Sequence, residues 1–211
     1  MRLLSTLFLV FTLVGCQSAY YATMEQVGIH KRDIMADRVE AASEAQQEAS
    51  EQFTSALDAL TELTQFDGGE LETMYNTIND QYEDSETAVE NVRNRIQGVE
   101  DVSDALFDEW QEELDLYSSA NLRRESERKL NATKQSYRQM LSAMKKAEGK
   151  MTPVLDTLRD NTLYLKHNLN AAAIGALKGE FSGLEKEINR AIKDMQLAIA
   201  ESERFLTTLK N

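Results

Sequence analysis

The stretch Ser85–Trp110, SETAVENVRNRIQGVEDVSDALFDEW, carries Val89, Val92, Ile96, Val99, Leu106 and Trp110, with Ser85 and Ser103 in the same series. The steps between them alternate between four residues and three. That average period of 3.5 is incompatible with the two-residue alternation of a strand. It lines all eight side chains along one stripe of an α-helix that packs lengthwise against other helices. The stripe extends backwards through Tyr82, Ile78, Tyr75 and Leu71 and forwards through Glu113 and Tyr117.

Working outward, the pattern returns twice. Leu130, Tyr137, Met144, Met151, Leu158 and Leu165 lie seven apart, with Leu141, Ala147, Leu155 and Leu169 as companions. Pro153 falls inside this series, and because the phase runs straight through it, a kinked but continuous helix is expected. The last stripe is Ile174, Leu177, Phe181, Leu184, Ile188, Ala191, Met195, Ala198, Ser202, Phe205 and Leu209. It is out of phase with Leu165, so residues 168–175 hold either a stutter or a turn. The first segment, from about Ala22 to Leu63, lines its inner face with Ala42, Ala45, Ala49, Ala56, Leu60 and Leu63, small enough for close helix approach.

Turn chemistry separates these segments. Gln65-Phe66-Asp67-Gly68-Gly69 supplies glycines after a helix end, and Tyr117–Asn121 supplies Ser119 or Asn121 as an N-cap. With one proline and nine glycines in 211 residues, few other breaks are available. The expected fold is all-α: an elongated antiparallel, coiled-coil-like bundle of three long helices plus a shorter C-terminal one, forming a single domain over residues 22–211.

The start of the chain reads differently. Arg2 precedes a twelve-residue apolar run, Leu3–Val14, too short to span a bilayer, which takes about 20 residues. With Leu13-Val14-Gly15-Cys16 behind it, this is a signal peptide ending in a sequence that resembles the lipobox of bacterial lipoproteins. Residues 1–15 are then cleaved, Cys16 is lipidated, and residues 16–21 form a tether. Cys16 is the only cysteine, so it is read as an anchor point without redox or metal chemistry. Gln17 in place of aspartate favours, by resemblance to lipoprotein sorting rules, the periplasmic face of the outer membrane.

The net charge of −13 argues against nucleic acid as a partner, since phosphate neutralisation needs Lys and Arg in excess. The two histidines, His30 and His167, are expected near opposite ends. Glu-x-x-His, His-Glu-x-x-His, phosphate-loop and nucleophile-elbow patterns are missing from the sequence. Neither catalytic residues nor a cofactor nor a metal is expected. Folding the first helix onto the second about Asp67-Gly68 sets Lys31 beside Asp104, and the next turn sets Glu109 near Lys129 and Asp115 near Arg123. Such pairs fix bundle register or form a docking surface.

The runs YYATMEQVGIHKRDI (20–34), FDGGELE (66–72), LFDEWQEEL (106–114) and LKHNLNAAAI (165–174), behind the lipobox, resemble a family of bacterial envelope lipoproteins known as domain of unknown function 2959. The resemblance implies an all-helical periplasmic protein without an assigned activity. It brings forward His30, Lys31, Arg32 and Asp33, then Asp108, Glu109 and Trp110, then Lys166, His167 and Asn168 as candidate interaction positions. The expected role is a lipid-anchored scaffold or adaptor for envelope proteins. The alternative is a ligand- or metal-binding bundle, or an enzyme, using polar core residues.

Overall fold

A computed structural model describes residues 30–65 and 70–210. The expected leader, Cys16, the tether and the Phe66–Gly69 turn lie outside the described residues. Four helices follow one another: α1 (Lys31–Thr64), α2 (Leu71–Glu113), α3 (Ala120–His167) and α4 (Ala171–Lys210), with a 3-10 turn, Leu114–Leu116, closing α2. The last helix, at 40 residues, is somewhat shorter than α2 and α3, at 43 and 48, and all four pack together.

Cross-helix contacts give the topology. Gln52 of α1 bonds Gln81 of α2, Arg93 and Glu148 join α2 to α3, Lys146 and Asp194 join α3 to α4, and Arg32 donates to the Leu209 carbonyl of α4. From Lys31–Glu109 to Gln52–Gln81, from Arg93–Glu148 to Glu100–Lys145 and from Tyr137–Phe205 to Lys146–Asp194 one number rises as the other falls, so successive helices are antiparallel, and Arg32 closes α1 on α4. Short connections force this up-and-down order.

The core follows the sequence stripes closely. Every α4 stripe residue is buried except the half-buried Phe181, and on α2 the run from Ser85 to Leu106 is wholly buried. The α1 alanines Ala42, Ala49 and Ala56 are almost completely enclosed, beside Phe53 and Met35. Near the start of α1, Tyr137 stands edge-on between Phe107 and Phe205, at centroid distances of 5.4 and 6.1 Å. At the other end of α2 the stripe is looser, with Leu71, Tyr75 and Tyr82 half-buried.

Two expectations change, and one open alternative is decided. On α3 the seven-spaced row is buried, but its companion row is Thr133, Met140, Ala147, Val154 and Asn161, three residues on from each; Leu141 and Leu155 are only partly buried and Leu169 is exposed. A helix facing two neighbours at once inserts positions at alternating steps of three and four, which fixes that row regardless of the polarity found there. On α2, Glu113 and Tyr117 are exposed and Leu114 is buried instead, because the 3-10 turn tightens the last residues. Between α3 and α4 the chain turns: Asn168 ends α3, and the Asn170 side chain accepts from the Ala172 and Ala173 amides at 3.0 and 3.1 Å.

Helix α3 runs unbroken through Pro153. The proline removes the donor for the carbonyl four residues earlier, which belongs to Gly149 on the exposed face of the helix. Its N-cap is Ser119, whose hydroxyl accepts from the Leu122 amide.

Candidate functional site

The candidate positions divide between the two ends of the bundle. At the end where α1 begins, His30 is an exposed N-cap residue whose carbonyl accepts from the Asp33 and Ile34 amides. Lys31 turns inward: its Nζ lies 2.9 Å from Glu109 Oε1, with side chains 11 % and 34 % exposed. Arg32 ties α1 to the last turn of α4 through the Leu209 carbonyl. Asp33 and Asp108 face solvent, and Trp110 is half-buried with its indole N–H donating to Ser126 of α3 at 2.8 Å. Two of the three candidate groups therefore meet at one end, joined by the Lys31–Glu109 pair.

The partner of Lys31 is Glu109, five positions beyond the expected Asp104. The backbone register matches the expectation, since Arg38 reaches the position opposite Gly98. Side chains on an α-helix lean toward its N-terminus. In an antiparallel pair Lys31 therefore leans toward higher numbers on α2, while Glu109 leans back to meet it. The expected Asp115–Arg123 pair forms at 2.8 Å.

Asp104 instead faces its own kind. Partial burial, with Asp108, Glu100 and Asp101 nearby, pushes its carboxyl above the ordinary value of 3.8. Burial likewise raises the Tyr137 phenol, although a hydrogen bond with Ser103 opposes the shift.

The third group sits at the far end. Lys166 and His167 occupy the exposed last turn of α3, where cations complement the helix dipole, and the Asn168 side chain donates to the Tyr164 carbonyl at 2.9 Å. Beside them a shallow groove of about 430 Å³ runs between α3 and α4, lined by Thr157, Asp160, Asn161, Tyr164, Leu177 and Glu180. Leu163, Tyr164 and Leu169 are exposed there, at 49 %, 41 % and 41 %.

Two features escaped the sequence reading. Gln46 is fully enclosed in α1, and neither its amide nitrogen nor its oxygen has a partner. It occupies a stripe position between Ala42 and Ala49, a signal that was present in the spacing. The second is a division of charge between adjacent helices. Helix α2 holds thirteen Asp and Glu against two Arg, and α3 holds eleven Lys and Arg against five acids. The pairs Arg93–Glu148 and Lys145–Glu100 cross this boundary.

Among the described residues no group of three or more His, Cys, Asp or Glu is arranged to hold a metal ion, and no helix is long and apolar enough to cross a membrane. A family model described as Protein of unknown function (DUF2959) matches residues 20–209. No curated protein and no solved structure matches the chain.

Proposed function

The chain belongs to the DUF2959 family, proteins of unknown function, and from that premise we propose that it is a lipid-anchored envelope scaffold or adaptor. Cleavage before Cys16 and acylation of its thiol attach it to a membrane, with the periplasmic face of the outer membrane favoured by Gln17. The four-helix rod then stands between that membrane and a protein partner. One observation carries the reading: the His30–Asp33 and Lys166–Asn168 groups lie at opposite ends of one continuous core, separated by most of the length of α3. A spacer needs two contacts held apart by a stiff body, and 48 helical residues span about 70 Å.

The anchor is tested by labelled palmitate. Incorporation into the wild-type chain should disappear in Cys16→Ala, and unchanged incorporation would refute the anchor. The adaptor role is tested by photo-crosslinking in cells from position 167, with exposed mid-rod Thr87 as control. A protein band specific to position 167 is expected; identical profiles from both positions would remove the far end as a docking surface.

The buried Gln46 amide favours a second reading, a bundle that takes a small polar ligand into its core. Ligand-dependent thermal shifts that vanish in Gln46→Met would establish it.

A further inference from the structure

Leu116, Tyr117 and Leu122 are 81 %, 41 % and 60 % exposed, and all three lie on the tip that joins α2 to α3. Isolated exposed leucines are ordinary on a protein surface; three large apolar side chains within seven residues of one hairpin tip form a patch. None of them can turn inward, because Leu114 already fills the core below them and the bundle ends there.

The tip also projects. Lys31, the first residue of α1, reaches Glu109 only by the lean of its side chain, and Arg32 reaches the Leu209 carbonyl near the end of α4. Leu116 lies seven residues beyond Glu109, about 10 Å further along the axis. The α2–α3 tip therefore overhangs the start of α1 and the end of α4, at the end of the bundle where His30 caps α1. Thirteen residues lie between Cys16 and His30, a contour of at most about 50 Å.

We propose that this tip, through Leu116, Tyr117 and Leu122, is a second membrane contact that seats in the interface of the bilayer holding the anchor. The placement rests on the anchoring reading above. Tyrosine, with an apolar ring and a polar hydroxyl, suits the headgroup level, and the leucines supply apolar burial. Charge selects the lipid class. Arg123 is engaged by Asp115 and Arg128 by Glu125, exposed Arg124 bonds the neutral Asn121 side chain and is offset in charge by exposed Glu127, and Glu112 and Glu113 stand exposed one turn above. The tip is thus slightly acidic and matches a zwitterionic surface rather than an anionic one. Three side chains fall far short of the roughly 1,200 Å² that a stable protein interface buries. A weak partition is sufficient when a tether already supplies a high local concentration.

The test supplies the anchor chemically. The chain from Cys16 onward keeps the whole described core, which lies between Ile34 and Leu209. Its single cysteine is coupled to maleimide-headgroup lipid in phosphatidylcholine vesicles, plain or brominated. Leu116→Trp is compared with Leu169→Trp at the far end, each as the difference from the parent, whose only tryptophan is Trp110. Both positions are exposed, so the fold is retained, and unchanged circular-dichroism melting verifies it. The tryptophan at 116 should shift to the blue and lose at least half its emission on brominated vesicles, while that at 169 should not change. Adding Tyr117→Ser and Leu122→Ser should abolish the quenching at 116. Equal emission at 116 on both vesicle types would overturn the proposal, as would a blue shift without quenching, which means that protein covers the tip. Quenching at 116 together with a failed palmitate experiment would refute natural anchoring alone.

Discussion

Lys31 and Glu109 join two helices at their ends through the lean of two long side chains. The pair is mostly withdrawn from water, so it lies between exposed pairs, which contribute little, and buried ones, whose rupture leaves a costly lone charge. Lys31→Glu should cost about 1–3 kcal/mol by thermal or urea unfolding, and adding Glu109→Lys should recover part of the loss as a positive coupling in a double-mutant cycle. Asp104→Lys should give no such recovery. A Lys31→Glu protein with unchanged stability would instead mean that the pair serves an external partner. Asp104 makes a pH-dependent prediction of its own. Its folded-state carboxyl is raised by partial burial and by Asp108, Glu100 and Asp101, so the native state holds the proton more tightly than the unfolded one. Ionised Asp104 therefore costs stability at neutral pH, and the cost is relieved as pH falls through the raised value. Asp104→Asn should melt higher than wild type at pH 7, with the difference fading by about pH 3, where both side chains are neutral. A constant difference across that range would place its cause elsewhere.

At the level of the helix, Gln46 is the clearest conflict between sequence and fold. A glutamine enclosed at a stripe position with both amide atoms unpartnered carries an uncompensated desolvation cost. Gln46→Met keeps the volume and removes the polar atoms, so unfolding in urea should show a gain of about 1–3 kcal/mol. No gain would imply that the amide is satisfied by enclosed water. The same residue marks the limit of reading by polarity. The stripes of α2 and α4 and the alanines of α1 were legible because apolar residues fill them, and the steps of three and four then leave one solution. On α3 the companion row contains Thr133 and Asn161, while Leu141 and Leu155 stand one position outside it. Choosing the more apolar side chain there selects the wrong row, because geometry, not hydrophobicity, fixes which positions two neighbouring helices enclose. The His30–Asp33 group was legible as a charge cluster and the other candidate groups through the family resemblance, and their division between two ends followed from the topology. The partner of Lys31 was not, since it depends on the lean of side chains and not on backbone register. The apolar hairpin tip needed the knowledge that Leu114 ends the core, which a 3-10 turn decides.

For the whole molecule the decisive quantity is length. The acidic α2 and basic α3 run side by side, and Arg93–Glu148, Lys145–Glu100 and Arg123–Asp115 cross between them over much of that contact. These exposed pairs lie from Arg93 onward, so they mark the alignment of the two helices and leave stiffness to the core between them. Helix α3 carries Pro153, the one residue able to break the rod in the middle, yet its stripe is buried on both sides, from Met144 and Met151 through Val154 to Leu158. Bending there would pull these side chains from their neighbours, so the core opposes the kink that the proline favours. A straight bundle about 70 Å long has a radius of gyration of roughly 21–23 Å, because length dominates a thin rod. A compact protein of this size would show about 16–17 Å. Small-angle scattering from the chain beginning at Gln17 should give the larger value, with a pair-distance function skewed toward a single long axis. Pro153→Ala should leave it unchanged, because the helix is already continuous. If the wild-type chain instead gives the compact value and the alanine variant the extended one, α3 hinges at Pro153. The two ends would then approach each other, and the separation that a spacer requires would be lost.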